Sequence, residues 1–170
     1  DTSYGGGGGM VLMCEPVFKA IASVKTSDSI VIMTTPAGIK YNQSTAVDLS
    51  KYKHLILLCG HYEGFDERIK TKVDMEISIG DYVLTGGELA SLVITDSVVR
   101  LLEGVITDTS LESESFTDNL LDYPVYTKPR EYEGLKVPDV LLSGDHKKIN
   151  EYRLEERIRI TKEKRPDLLK

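Results

Sequence analysis

Three short apolar runs stand out along the chain, and each has the length of a β-strand. They are residues 30–33 (IVIM), 55–59 (LILLC) and 77–84 (ISIGDYVL). The first two runs are continuous rather than alternating, which is typical of strands buried on both faces of a parallel sheet. The pattern therefore predicts a parallel sheet at the centre of the fold.

Helical patterns precede, separate and follow these runs. They occupy residues 15–25, 65–73 and 89–102, and a charged helix is predicted over residues 146–164. Thr85 and Glu88 have the spacing of a capping box, which marks the start of the third helix. Alternating strands and helices predict an α/β fold, with a parallel sheet that carries helices on both faces.

A polar, acidic and aperiodic stretch, TDTSLESES at residues 107–115, interrupts this pattern and predicts a linker or loop. A proline-punctuated segment and the charged helix follow it. We therefore expect three parts, namely a catalytic domain at residues 1–106, an interdomain linker at residues 107–122 and a partial helical C-terminal domain at residues 123–170.

The composition is that of a soluble globular protein, with 170 residues, 41% of them hydrophobic and 28% charged. The two cysteines, Cys14 and Cys59, form no CxxC pair, which disfavours a zinc site and favours a reduced, cytoplasmic setting. No apolar run is long enough to span a membrane, and no membrane partner is expected.

The net charge of −6 argues against a general polyanion binder, but the charge is unevenly distributed. Residues 143–170 contain nine Lys/Arg and six Asp/Glu, a local charge of +3 that leaves −9 for the rest. A basic tail on an acidic body predicts either a local grip on RNA or an ordinary solvated helix face.

Three loops rich in glycine or proline follow the predicted strands, at residues 34–38, 60–64 and 80–87. Ligands of parallel α/β sheets gather at the carboxyl ends of the strands. We favour one pocket built by all three loops over three unrelated tight turns. Glu63 and Asp81 are candidates to meet ribose hydroxyls or a cationic group.

The pentaglycine at residues 5–9 is not a phosphate-binding loop. No strand precedes it within the chain, and no Lys-Ser/Thr pair follows it. By composition it is a flexible linker.

Several segments, taken together, resemble one family. They are DTSYGGGGGM at residues 1–10, GHYEGFDER at 60–68, SIGDYVLTGGEL at 78–89, VRLL at 99–102, and SF at 115–116 with LLD at 120–122 and YTKP at 126–129. In this order they resemble the bacterial tRNA (guanine-N1)-methyltransferases over essentially the whole chain. The closing RPDLL at residues 165–169 extends the resemblance.

The resemblance implies a SPOUT-class methyltransferase, whose sheet contains a trefoil knot. It implies S-adenosylmethionine as methyl donor and an obligate homodimer with active sites shared between subunits. The implied substrate is tRNA with guanine at position 37, next to the anticodon, and assistance by Mg²⁺ is left open. The implied donor-binding residues are Gly60, Ile79, Gly80, Asp81, Tyr82, Val83 and Leu84, with Pro36, Tyr62, Glu63, Gly86 and Gly87 nearby.

The resemblance also implies a general base and a cation that act on the guanine. Arg100 aligns with the family's essential arginine, and Glu114 stands where the family has the aspartate that precedes Ser-Phe. Asp118 is the alternative base. Judged from the residues alone, Arg100 pairs with Asp96 on a helix surface, and the acidic residues around Glu114 form a solvated loop.

This sequence departs from the family pattern in three respects. Glu114 is one methylene longer than the family's aspartate. Asn119 replaces a glycine, which is a mild change because asparagine can adopt a positive φ. The family also continues upstream of Asp1 and beyond Lys170, so we expect a chain truncated at both ends.

Two other functions stay open on the sequence. One is a catalytically impaired homologue that binds donor and tRNA, or another SPOUT RNA methyltransferase. The other is a nucleotide-binding regulatory domain with a basic docking helix.

Overall fold

A three-stranded parallel sheet forms the centre of the first of two compact units. The computed structural model describes residues 1–106 and 114–170, and its units are Asp1–Ile106 and Thr107–Lys170. The strands are β1 (Ser29–Lys40), β2 (His54–Leu58) and β3 (Met75–Ser78), in the order β2-β1-β3. Both strand pairs are parallel, which confirms the sheet predicted from the apolar runs.

Helices cover both faces of this sheet, and the alternation of side chains along β1 explains why. The helices are α1 (Cys14–Val24), α2 (Gln43–Leu49) and α3 (Glu88–Val99). Ile30 and Ile32 pack in one cluster with buried side chains of α2 and α3, whereas Val31 packs on the opposite face with Ile21 of α1. Burial on both faces accounts for the continuous apolar run in this strand.

Several elements differ from the sequence-based expectation. Strand β3 ends at Ser78, so the prediction of a strand through residue 84 is wrong. The predicted helix at 65–73 is a 3-10 helix, Glu67–Lys72. Helix α2 was not predicted, because only three of its seven residues are apolar; the Asn42 side chain, which accepts from the Thr45 amide at 3.0 Å, starts it.

Strand β1 is interrupted where it passes β3. Both Thr34 and Ile39 lie opposite Ile77, so the four residues 35–38 are extra on the β1 side. Gly38 lies so close to β3 that a Cβ there would stand 2.6 Å from the carbonyl carbon of Glu76. These extra residues form a bulge in β1 at the carboxyl end of the strands.

The second unit consists of a small hairpin and two helices. Strands β4 (Glu131–Tyr132) and β5 (Leu135–Lys136) pair antiparallel, and α4 (Asp139–Leu142) precedes α5 (His146–Lys164) and a 3-10 turn at Pro166–Leu169. The predicted charged helix over 146–164 is confirmed at both ends. Within the described part of the chain, no helix combines the length and apolar character needed to cross a bilayer.

Candidate ligand-binding cleft

A cleft of about 400 Å³ opens in the first unit at the carboxyl ends of the three strands. All three glycine- and proline-rich loops contribute to its walls, and its size is in the range of small-molecule sites. Eleven of the twelve residues predicted to bind the donor line it: Pro36, Gly60, Tyr62, Glu63, Ile79, Gly80, Tyr82, Val83, Leu84, Gly86 and Gly87. The loops therefore share one cavity.

Asp81 is the twelfth, and it is not among the lining residues. Its carboxylate accepts a hydrogen bond from Lys40 Nζ at 3.0 Å, and both side chains are largely exposed. Lys40 ends β1 and Asp81 follows β3, so this ion pair ties together the two chain segments beside the cleft.

Backbone approaches backbone closely at the back of the cleft. The Gly87 amide donates to the Gly60 carbonyl at 2.8 Å. A Cβ at Gly87 would stand 2.8 Å from the Cα of Cys59 and 2.9 Å from the Gly60 nitrogen, which is closer than real Cβ atoms approach backbone. Position 87 therefore requires glycine for packing and not for its dihedral angles.

The start of α3 is set by this contact and not by the predicted capping box. The N-cap residue is Gly87, without a side-chain hydrogen bond, so the prediction of Thr85 as cap is wrong. The Glu88 carboxylate instead hydrogen-bonds His61 Nε2 at 2.8 Å. Residues His61 and Gly86 also form an antiparallel bridge, so a backbone and a side-chain contact join the two loops.

The loop at residues 60–64 is folded tightly against the segment that follows the pentaglycine. Tyr62 has a φ of 60°, and the Gly64 amide donates to the His61 carbonyl at 3.0 Å. The Glu63 amide donates to the Met10 carbonyl at 3.0 Å, and the Leu12 amide donates to the Gly64 carbonyl at 2.9 Å. The last glycine of the run, Gly9, packs against the side chain of Glu63.

The acidic and basic residues that end the GHYEGFDER segment fix the chain leaving this loop. Asp66 caps the following 3-10 helix by accepting from the Arg68 amide at 3.0 Å. It also accepts from Arg68 Nε and Nη2 at 2.9 and 2.7 Å. These bonds hold the pKa of the Asp66 carboxyl far below its usual range. The pair has a structural role that residue order alone does not reveal.

Apolar residues form the rim of the cleft and explain the overlong strand prediction. Val83 is 86% exposed, and Tyr62 and Tyr82 are more than half exposed. Residues 79–84 follow β3, and all of them except Asp81 line the cleft instead of extending the sheet. Large exposed apolar side chains grouped around a cavity are typical of a binding site.

The floor of the cleft contains residues that the sequence analysis did not select as ligands. Thr34 Oγ1 donates to the Leu58 carbonyl at 3.0 Å, and Ser78 Oγ donates to the Gly80 carbonyl at 3.1 Å. Phe65 lies beneath Gly60, where a Cβ would stand 2.9 Å from its ring. Thr34 lies where β1 is interrupted, Ser78 ends β3, and Phe65 directly follows the loop at residues 60–64. These positions next to the cleft loops are the signal that would have identified them.

The two predicted catalytic residues lie in different units. Arg100 is half-buried at the C-terminal end of α3, and its amide donates to the Asp96 carbonyl at 3.2 Å. Glu114 is half-buried in the second unit, where its carbonyl accepts from the Thr117 amide at 3.3 Å. Glu112, one of the acidic residues of the predicted solvated loop around Glu114, lies outside the described residues.

The alternative base, Asp118, is occupied by an arginine. Arg157 Nη1 and Nη2 donate to its two carboxylate oxygens at 2.9 and 2.5 Å. These hydrogen bonds lower the pKa of the Asp118 carboxyl. Among residues 1–106 and 114–170, no three His, Cys, Asp or Glu side chains are grouped to hold a metal ion.

The fold and this cleft define an α/β domain with a cavity of small-molecule size at the carboxyl edge of a parallel sheet. The sequence profile of the tRNA (guanine-1)-methyltransferase family TrmD matches residues 1–170. The chain belongs to this family.

Curated relatives agree with this assignment. The chain is 60% identical over 169 residues to the tRNA (guanine-N(1)-)-methyltransferase of Ureaplasma urealyticum, covering 99% of this chain and 74% of that protein. It is 61% identical over 168 residues to the protein of the same name from Malacoplasma penetrans, with the same coverage. For that of Dictyoglomus turgidum the identity is 56% over 170 residues, covering 99% and 69%.

Proposed function

We propose that this chain methylates N1 of guanine at position 37 of tRNA, with S-adenosylmethionine as donor. One observation carries the proposal: the loops at the strand ends share one cavity. In its wall, a Cβ at Gly60, Gly86 or Gly87 would stand less than 3 Å from a neighbouring residue. Membership of a family whose relatives are named tRNA (guanine-N(1)-)-methyltransferases supplies the reaction.

The residues of the cleft suit a nucleoside-type donor. Residues of the 79–87 segment and Gly60 line the cleft, where their backbone would read a purine edge and the carboxylate of Glu63 would meet ribose hydroxyls. The apolar rim of Tyr82, Val83 and Leu84 would cover flat or apolar parts of the ligand and exclude water. When bound, the donor supplies an electrophilic methyl group on a sulfonium.

The protein must then make guanine N1 nucleophilic, because this nitrogen carries a proton. We assign proton removal to the carboxylate of Glu114. Asp118 is a poor candidate, because Arg157 occupies both of its oxygens and holds its pKa low. As N1 loses its proton, negative charge develops on guanine O6, and we assign Arg100 to stabilise it.

A homodimer with shared active sites is part of the proposal, and α3 provides its surface. Leu89, Leu92, Val93 and Val99 of α3 are all more than 40% exposed, while Ile94 and Val98 on its other side are buried. The exposed residues follow helical spacing and form one apolar stripe, which Asp96 interrupts before Val99. A stripe of this kind on a helix already packed in its own core favours burial against a second copy.

We also propose that the chain carries the SPOUT trefoil knot. After β3, at one edge of the sheet, the chain returns to the loop after β2 at the opposite edge, where Gly87 bonds Gly60 and Gly86 bridges His61. This path across the end of β1 supports threading through a loop. The second unit, with its basic helix, is proposed to bind tRNA.

Methyl transfer from labelled S-adenosylmethionine tests the function directly. We expect transfer to tRNA with guanine at position 37 and none to the same tRNA with adenine there. Glu114→Gln should lower the rate about 100- to 10,000-fold while donor affinity is kept, because a general base contributes that range. Glu155→Gln, which neutralises an exposed carboxylate on α5, is the matched control.

The same assay separates the alternatives. Donor binding by calorimetry without transfer would indicate an impaired homologue. Absence of donor binding, with binding of another nucleotide, would indicate a regulatory domain and overturn the proposal.

A further inference from the structure

Arg157 on α5 is a buried arginine whose whole guanidinium is engaged by one loop. The residue is 8% exposed. Besides its two bonds to Asp118, its Nε donates to the Leu121 carbonyl at 3.2 Å. An arginine that presents two parallel donors to a carboxylate and a third to the backbone fixes both position and orientation, which a lysine cannot do.

Thr161, one turn further along α5, completes the attachment. Its Oγ1 accepts from the Leu121 amide at 2.8 Å and donates to the Arg157 carbonyl at 2.7 Å, and the residue is fully buried. Both backbone polar groups of Leu121 are therefore bound by α5. Buried polar groups satisfied in this way resist displacement, because each broken bond would leave an unpaired donor or acceptor.

The loop held by these contacts, residues 114–122, is also closed on itself. The Asp122 amide donates to Ser115 Oγ at 2.9 Å, and the Phe116 amide donates to the Leu120 carbonyl at 2.8 Å. Phe116 and Asn119 have positive φ values of 74° and 62°. Glu114 lies at the base of this 114–122 loop, so the place of its backbone depends on how the loop is anchored.

We propose that Arg157 is a positioning residue for proton abstraction. By holding Asp118 and Leu121, it sets where the 114–122 loop presents Glu114. The inference rests on the proposed function, in which Glu114 removes the guanine N1 proton. A displacement of about 1 Å at a reacting group costs about 100-fold in rate, so the anchor acts on turnover without touching substrate.

Kinetics of four variants test this role: Arg157→Ala, Arg157→Lys, Asp118→Asn and the double variant Arg157→Ala/Asp118→Asn. We expect kcat to fall about 10- to 100-fold in Arg157→Ala, with the KM for the donor unchanged. Arg157→Lys should recover part of the loss. The double variant should be no slower than Arg157→Ala, because the pair acts as a unit.

Hydrogen exchange of residues 115–122 provides a readout that does not depend on turnover. We expect Arg157→Ala to lose protection of the Leu121 and Asp122 amides while α5 stays protected. Lys19→Ala is the control, since Lys19 lies on α1 in an exposed ion pair with Glu15, away from the residues assigned to catalysis or binding. The control should leave both kcat and loop protection unchanged.

Three results would overturn the inference: a kcat within twofold of the unmodified chain in Arg157→Ala, unchanged protection of the loop in that variant, or a far larger loss in Asp118→Asn than in Arg157→Ala. The last would make Asp118 a reacting group. If the unmodified chain binds donor but transfers no methyl group, the proposed function fails instead, and the exchange result alone decides whether Arg157 holds the loop.

Discussion

The cleft of the first unit and the 114–122 loop of the second unit are held by different kinds of contact. In the cleft, glycine backbone lies against neighbouring backbone, and Gly87 has no space for a Cβ. In the 114–122 loop, the Arg157 guanidinium and the Thr161 hydroxyl bind a carboxylate and a peptide group. Substitutions in the cleft are therefore expected to act by steric clash, independently of pH, whereas substitutions at the Arg157–Asp118 contact act through charge.

The largest effect is expected from Gly87→Ala, which tests the steric side of this comparison. The new methyl group would meet the backbone of Cys59 and Gly60, which cannot give way as a side chain can. Forcing atoms into a packed site costs about 1–3 kcal/mol or more, so donor affinity measured by calorimetry should fall on the order of 100-fold. Gly8→Ala, where a Cβ meets nothing within 4 Å, should bind normally. Equal affinity in both variants would contradict a backbone-walled site.

A second variant, Leu92→Asp, tests whether the cleft of one subunit and the 114–122 loop of another form a shared site. A charge in the apolar stripe of α3 would be desolvated in a dimer, and the dimer Kd from sedimentation should rise roughly 30-fold. Transfer should fall with it if Glu114 and the cleft come from different copies. Val47→Asp, a similar change on α2, should leave the dimer intact. A dimer that persists in Leu92→Asp would place the interface elsewhere.

The pH dependence of stability tests the contribution of the ion pair between Asp118 and Arg157. Because Arg157 lowers the pKa of Asp118, the ion pair stabilises the fold above the ordinary aspartate pKa of about 3.9, and this stability is lost as pH falls through the lower, folded pKa. The urea midpoint of the unmodified chain should exceed that of Asp118→Asn at pH 5 to 7, and the difference should close below about pH 4. Asp139→Asn controls for net charge. A difference that stays constant to pH 2.5 would show that the carboxylate charge is not involved.

The smallest effect is expected from His61→Ala, which removes the side-chain contact between two cleft loops. Both partners, His61 and Glu88, are about half exposed. Exposed pairs contribute about 0–1 kcal/mol, so donor affinity should fall no more than about fivefold. A loss as large as that of Gly87→Ala would mean that side chains, and not backbone, hold the cleft together.

The sequence predicted the parts of the fold that depend on burial. Ile30 to Met33 and the apolar residues of β2 could only be strands covered on both sides, and the three loops that follow the strands do share one cavity. Asn119 stands where the family has glycine, and it has a positive φ, which asparagine tolerates. These features follow from local residue types, which a single sequence displays directly.

Other features depend on contacts between distant residues and could not be predicted from pattern. Apolar residues 79–84 looked like strand because periodicity does not distinguish a buried sheet position from the wall of a cleft. Thr85 looked like a helix cap, but the contact of Gly87 with Gly60 fixes the start of α3. Arg157 looked like one more charge on a solvated helix, and only its contacts with the 114–122 loop show otherwise.

The interruption of β1 has a consequence for how this protein can vary. Because Thr34 and Ile39 share one partner on β3, the stretches of β1 before and after the interruption keep their neighbours when residues 35–37 change. Residues 35–37 can therefore gain, lose or exchange side chains without disturbing the hydrophobic core, whereas Gly38 must stay small. Selectivity for the bound ligand could diverge at this point among related proteins while their common architecture persists.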